Sequence, residues 1–213
     1  MQLIVATRNA HKTREFAEIL GDEFHVSDLS SARNIPEIKE TGRTFAENAI
    51  LKVLAVAQDR TASGGQDRQG LVVGDDSGLE VDALGGAPGI HSARYAGDEA
   101  TDKDNVAKLL SELGRRNLSS HQRSARFRCV LALARKGKLL GTFEGVAEGV
   151  IVDLARGAGG FGYDPIFVPE GFDKTFAELP PEMKNRISHR AKAIASLRGY
   201  LARGTFLSQE ARS

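Results

Sequence analysis

The stretch Gly74-Asp75-Asp76-Ser77-Gly78-Leu79 follows directly on an apolar run, Leu71-Val72-Val73. The run predicts a buried strand, with the two carboxylates expected where that strand ends and a loop begins. In an open α/β sheet that mouth is the usual place for a ligand. Adjacent carboxylates repel each other and call for a nearby cation. Mg²⁺ suits them, because it prefers oxygen ligands and brings substrate phosphates with it. A plain turn is the competing reading, since Asp, Ser and Gly all form turns readily.

The periodicity around this stretch predicts an α/β chain with a mixed sheet. A strand is expected over Leu3–Ala6, then a helix from about His11 to Leu20 with Phe16, Ile19 and Leu20 on one face. Glu23–Val26 reads as a second strand and Ser30–Arg43 as irregular. Thr44 and Glu47 have the spacing of a capping box, and Ala46, Ala49, Ile50, Val53, Leu54 and Ala57 form the expected buried face of the helix they open. Ala62–Gly70 reads as a surface loop, and Thr101 as the cap of a helix burying Val106, Leu109, Leu110 and Leu113. Arg126–Ala134, Leu139–Glu144 and Val146–Val152 read as three strands of a meander. A glycine-rich loop and a last helix from about His189 to Leu201 follow, with a polar tail from about residue 204. No repeat or linker divides the chain, so residues 1–213 are expected to form one domain.

Composition narrows the classes of function. With 213 residues and 41% hydrophobic content the chain can bury a sizeable core. Lys+Arg 29 against Asp+Glu 28 leaves a net charge of +1, which gives no general attraction to nucleic acid or to an anionic membrane. No apolar run approaches the roughly 18 residues of a membrane span, and the N-terminus reads as a strand instead of a signal peptide. The single Cys129 lies in a strand-like setting and is expected to be a buried, inert thiol. A reducing, cytoplasmic location fits that usage.

Four constellations could carry chemistry. Thr7-Arg8-Asn9-Ala10-His11-Lys12 joins a strand to a helix, where free N–H groups, the helix dipole and Lys12 suit a phosphate. It lacks the glycines of a Walker loop, and a merely capping polar connection is the alternative. Glu40 precedes the second helix, which carries Glu47 and Lys52; Glu47 is explained by capping, and an exposed Lys52 is the ordinary outcome. Gly159-Gly160-Phe161-Gly162-Tyr163-Asp164-Pro165 lets backbone approach a ligand and offers Phe161 for stacking, or forms a tight turn with one core aromatic. Lys184 with Ser188-His189-Arg190 places cations at the unfavourable end of a helix, as a binding site does, or as solvated surface charge.

Together these segments resemble the inosine triphosphate pyrophosphatases, also called XTP/dITP diphosphatases. The matching stretches are ATRNAHKTREF (6–16), TGRTFAENAILK (41–52), GDDSGLEVDALGGAPGIHSARYAG (74–97), FRCVLAL (127–133), GGFGYDPIFVPEG (159–171), KTFAEL (174–179) and KNRISHRAKA (184–193). They run in the family's order over almost the whole chain. The resemblance implies an elongated α/β fold, a mixed sheet with flanking helices and two lobes around a central nucleotide-binding cleft. It implies a homodimer that uses Mg²⁺ to hydrolyse ITP, dITP and XTP to the monophosphate and pyrophosphate, keeping them out of DNA and RNA. Asp76 becomes the proton acceptor and a metal ligand, with Glu40 as the second metal-side carboxylate and Asp75 in support. Thr7, Arg8, Asn9, Ala10, His11, Lys12 and Ser77 are expected to hold phosphates. Phe161, Gly162, Tyr163, Asp164, Lys184, His189 and Arg190 are expected to hold nucleotide and base, and Lys52 to neutralise charge. Donors from His189 or Arg190 suit a 6-oxo acceptor, whereas the 6-amino group of adenine would leave a buried donor unpaired. The rivals are a related pyrophosphatase for modified pyrimidine nucleotides and a nucleotide-binding module without turnover. The Asp75-Asp76 pair and Lys12 speak against the second.

Overall fold

The computed structural model describes residues 1–30, 35, 38–62, 70–116, 118 and 122–204. Six strands and five α-helices follow the chain among these residues. They are β1 (Gln2–Val5), α1 (Ala10–Leu20), β2 (His25–Ser27), α2 (Phe45–Ala62), β3 (Leu71–Val81), α3 (Asp102–Gly114), β4 (Ser124–Arg135), β5 (Lys138–Ile151), β6 (Phe167–Pro169), α4 (Pro181–Ile187) and α5 (His189–Ala202). The strands form one sheet in the order β2-β1-β3-β4-β5-β6. β1 runs parallel to β2 and β3, and β6 antiparallel to β5, so the sheet is mixed. This is the α/β architecture with a mixed sheet that the periodicity predicts.

The chain divides into two compact units. The first comprises the described residues of Met1–Asp76, Cys129–Gly145 and Ala191–Ser213; the second comprises those of Ser77–Arg128 and Val146–Arg190. In the first unit β1 and β3 are aligned Leu3 to Leu71, Ile4 to Val72 and Val5 to Val73. Side chains alternate along a strand, so the two faces receive different helices. Leu3, Val5, Leu71 and Val73 meet Phe16 and Leu20 of α1 and Ile194, Leu197 and Leu201 of α5 in one buried cluster. The opposite face receives α2. A Cβ on Gly74 would stand 2.2 Å from the Ala49 carbonyl oxygen and 3.1 Å from the Val53 Cβ, so only glycine lets this helix lie so close. In the second unit Leu109 and Leu113 of α3 pack with Leu79, Val81, Phe127, Ile151, Phe167 and Phe176.

Several expectations need correction. β3 does not end before the carboxylates but runs through Asp75 and Asp76 to Val81. Alternation sends the two side chains to opposite faces, so no loop is needed to relieve their repulsion. The expected meander of three strands is two, since β5 continues through Gly145. The first of the two expected turns is present, at Lys136-Gly137, where φ of 51° and 75° suits a two-residue hairpin. The helix after Thr44 buries Phe45, Asn48, Ala49, Lys52, Val53, Val56 and Ala57, with Ala46, Ile50 and Leu54 only half-buried. Its stripe is therefore rotated to take in two polar residues. Thr44 does cap α2, accepting from the Glu47 N–H at 3.1 Å, while Glu47 reaches the Arg43 N–H at 2.6 Å. Helix α4 and strand β6 had no counterpart in the expectations. The tip of the Ala62–Gly70 loop (residues 63–69) and the tail from 205 lie outside the described residues.

Candidate active site

The loop after β1 is held from three sides. The Ala6 N–H donates to the Val73 carbonyl at 2.7 Å, and the Leu29 N–H donates to the Thr7 carbonyl at 2.9 Å. Asn9 caps α1, its Oδ1 accepting from the backbone N–H of His11 at 2.9 Å and of Lys12 at 3.3 Å. Two N–H groups expected to await a phosphate are therefore already engaged by Asn9. Thr7 Oγ1 accepts from the Asn9 N–H at 3.1 Å. Arg8 is exposed and donates to the Ile35 carbonyl at 2.6 Å, and the exposed His11 ring lies 3.2 Å from the Arg14 guanidinium. Ala10 is exposed. On the far side Asp28 accepts from Thr13 Oγ1 at 2.6 Å and from the Ser30 N–H at 2.9 Å, tying α1 to the segment after β2. Burial works against the charge on Asp28, but these bonds outweigh it and hold its carboxyl below the ordinary value.

The carboxylates of β3 each face their own lysine. Asp75 is 1% exposed; its Oδ1 pairs with the Lys12 ammonium and its Oδ2 lies 3.4 Å from Cys129 Sγ. Asp76 faces α2: its Oδ1 is 2.9 Å from Lys52 Nζ, and its Oδ2 accepts from Asn48 Nδ2 at 3.2 Å. The Lys52 ammonium also lies 2.8 Å from Glu40 Oε1 and donates to the Asp75 carbonyl at 2.8 Å. Burial pushes the Asp76 carboxyl up, and the Lys52 charge only partly offsets it; Glu40 pushes in the same direction as burial. Burial of Lys52 favours its neutral form, but Asp76 and Glu40 outweigh this and keep its pKa above the ordinary value. A buried carboxylate with raised proton affinity is what a general base requires.

The donor set fits Mg²⁺ as a substrate-linked ion. Glu40 and Asp76 converge on one point, at 2.8 and 2.9 Å from Lys52 Nζ. Mg²⁺ is commonly held by one or two carboxylates, with phosphates and water completing the shell. Among the described residues no group of three His, Cys, Asp or Glu side chains forms a closed cage. Asp75 points to the other face of β3, against Lys12 and Cys129.

The second unit gathers the remaining expected residues. Asp164 is 2% exposed; its Oδ2 accepts from Lys184 Nζ at 2.6 Å and from the Phe161 N–H at 2.9 Å. Gly160 makes this possible, because a Cβ there would lie 2.0 Å from Asp164 Oδ2 and φ is +71°. Phe161 is half-buried, with Lys184 Nζ 5.0 Å and the Arg190 guanidinium 5.8 Å from its ring centre. Arg190 is fully buried and donates to Ser77 Oγ at 2.8 Å. His189 stacks on Phe127, ring centres 4.7 Å apart and planes within 10°. Gly162 donates its N–H to Asp102 at 2.7 Å, and Tyr163 is a core residue whose hydroxyl donates to the Ser92 carbonyl at 2.9 Å. Lys52, Lys184, His189 and Arg190 are thus buried, where solvated surface charge was one reading of each.

Asn48 was missed by the sequence reading. The signal was present: Asn48 and Lys52 are four residues apart on one helix and share a face. The partnership of Cys129 with Asp75 left no sequence signal, because it joins different strands.

Similarity to known proteins spans nearly the whole chain. The dITP/XTP pyrophosphatase of Geobacillus kaustophilus is 47% identical over 197 residues, 92% of each chain. That of Geobacter sulfurreducens is 48% identical over 202 residues, 94% of this chain and 96% of the relative. The structure of a HAM1 protein from Coxiella burnetii superposes with a TM-score of 0.80 at 40% identity, covering 95% of this chain and 99% of that one. The model of the Ham1 family matches residues 3–200. With its strands, glycines and ionic pairs set out on that span, the chain belongs to the Ham1 family.

Proposed function

We propose that this protein is a dITP/XTP pyrophosphatase that hydrolyses ITP, dITP and XTP to the nucleoside monophosphate and pyrophosphate. The observation that carries the reading is the split of one carboxylate pair between two lysines, Asp75 with Lys12 and Asp76 with Lys52 and Glu40. A triphosphate is a concentrated anion, and its hydrolysis needs positioning and charge stabilisation more than covalent help. Lys12, oriented by Asp75, supplies a point charge beside the loop of Thr7 through Lys12. Ser77, next in the chain after Asp76, adds a hydroxyl to the phosphates. Asp76 accepts the proton of the attacking water, and its burial raises its affinity for that proton. When bound, Mg²⁺, held by Glu40 and Asp76, neutralises phosphate charge and makes the water more acidic. Asp75 serves in this account by orienting Lys12.

The base is read in the second unit, by stacking on Phe161 and by donors from Arg190 and His189 to the purine 6-oxo group. Lys184, Asp164 and the Gly162 backbone hold the Phe161 loop and contact the nucleotide. The functional protein is a homodimer in the cytoplasm, as the resemblance implies. Among the described residues no helix is long and apolar enough to cross a membrane. Sedimentation at micromolar concentration checks the dimer; a single species of 22.9 kDa would contradict it. The activity is tested by kcat/KM over a panel of purine and modified pyrimidine triphosphates. Preference for dITP and XTP over dATP, dGTP and the pyrimidines supports the reading, and equal turnover or a pyrimidine preference overturns it.

A further inference from the structure

Asn48 is completely buried on α2, and both ends of its amide are engaged. Its Oδ1 accepts from the Gly42 N–H at 2.8 Å. A backbone N–H can only donate, so the oxygen must face Gly42 and the nitrogen must face Asp76. The resulting bond, Nδ2 to Asp76 Oδ2, measures 3.2 Å. Gly42 stands two residues after Glu40, so one amide links the backbone beside Glu40 to the carboxylate of Asp76. The approach is tight: a Cβ on Gly42 would lie 2.6 Å from Asn48 Oδ1 and 2.9 Å from the Asn48 backbone nitrogen. Lys52, one turn further along α2, touches the same two carboxylates.

From this arrangement we propose that Asn48 is a positioning residue that sets the spacing of Glu40 and Asp76 for a divalent cation. The proposal rests on the reading of those two carboxylates as the metal-side pair. Lys52 draws the carboxylates together by charge, but an ammonium group has no directional preference that fixes a rotamer. The amide supplies direction, because it holds Asp76 Oδ2 on one side and the chain next to Glu40 on the other. Groups that orient metal ligands in this way are worth roughly 10- to 100-fold in metal affinity or activity. Asn48 touches neither water nor phosphate in this account; it acts through Asp76 and the backbone at Gly42.

The test compares Asn48→Ala with Asn48→Leu, which removes both hydrogen bonds but keeps most of the buried volume. Mn²⁺ binding is followed by electron paramagnetic resonance with α,β-methylene ITP present, alongside kcat and KM for ITP and a thermal melt. Both variants are expected to bind Mn²⁺ about tenfold or more weakly and to lose about 10- to 100-fold in kcat, with KM changed by less than about threefold. Asn48→Leu, which loses these two hydrogen bonds but little packing, should do so while still folded, with a cooperative melt some degrees below wild type. Unchanged Mn²⁺ affinity in a folded Asn48→Leu protein overturns the proposal, as does a loss of activity that only tracks the melt. Asp76→Asn serves as the reference. If it binds Mn²⁺ as wild type does, the metal-side reading of Asp76 has failed; if only the Asn48 variants do, the positioning role alone has failed.

Discussion

Asp75 and Asp76 are consecutive in β3 yet face opposite sides of the sheet, one against Lys12 of α1 and the other against Lys52 of α2. The alternation of a strand turns a repelling pair into two separate ion pairs. In the proposed mechanism the two carboxylates have different roles, and mutation separates them. Asp76→Asn removes the proposed proton acceptor and is expected to lower kcat by about 10²- to 10⁴-fold while the protein stays folded. Asp75→Asn frees Lys12 and is expected to act mainly on KM. Steady-state kinetics on dITP decide this; equal losses of kcat in both variants would contradict the division of roles.

Lys52 is buried between Glu40 and Asp76. Removing one partner of a buried ion pair leaves charge uncompensated and costs about 3–5 kcal/mol, with the low end apt here because Glu40 is partly solvated. Lys52→Met should therefore lose about 3 kcal/mol of stability, and millimolar Mg²⁺ should restore part of it. Urea titrations with Mg²⁺ and with chelator measure both. A midpoint that ignores Mg²⁺ in the variant would argue that the cation does not replace the lysine charge.

Gly74 is expected to tolerate no side chain. The added methyl of Gly74→Ala would meet backbone, the Ala49 carbonyl oxygen at 2.2 Å, and α2 would have to move. Overpacking of this kind costs about 1–3 kcal/mol, and a backbone obstacle places the variant at the upper end. The displacement carries Asn48 and Lys52 with it, so activity should fall as well. A denaturation midpoint and kcat both close to wild type would mean that α2 packs less tightly than described.

Asp28 links stability to pH. Its folded pKa is below the ordinary value, because Ser30 and Thr13 donate to the charged form. A group depressed on folding contributes stability above its unfolded pKa of about 3.9, lost as pH falls through the folded value. Asp28→Asn should thus cost about 1 kcal/mol at pH 7, a modest figure because the site is partly solvated. The gap between variant and wild type should close below about pH 4. Chemical denaturation at pH 7 and pH 3.5 tests the sign; a gap that widens in acid would contradict it.

Base selectivity tests the second unit. His189→Phe keeps the stack on Phe127 but removes the ring donors, and Arg190→Lys keeps charge but loses the planar fork. Losing a hydrogen bond to a buried group costs about 1–3 kcal/mol, so the ITP/ATP ratio of kcat/KM should fall about 5- to 150-fold in each. Equal losses on both nucleotides would move these residues from base recognition to phosphate binding or packing.

The parts legible in the sequence were those written in local pattern. The helix over Phe16, Ile19 and Leu20, the caps at Thr44 and Thr101 and the first strand all follow from periodicity and capping chemistry. The path of β3 was not legible in the same way. Two acidic residues after an apolar run look like a strand end, and only Lys12, 63 residues away in the chain, and Lys52 make them tolerable inside the sheet. The same long-range pairing hid the true face of α2, since Asn48 and Lys52 look solvent-facing until Asp76 is placed beside them. Gly145 misled for a different reason: an isolated glycine suggests a turn, but β5 carries it within the ladder. Helix α4 opens on Pro180-Pro181 and runs for 7 residues, too short to show a clear apolar stripe.

The most direct test of the account is the product of dITP hydrolysis in the presence of Mg²⁺, separated by ion-exchange chromatography over a single time course. The account predicts dIMP and pyrophosphate in equal amounts from the first time point, with the reaction abolished by excess chelator. Accumulation of dIDP and orthophosphate, or full turnover in chelator, would contradict it.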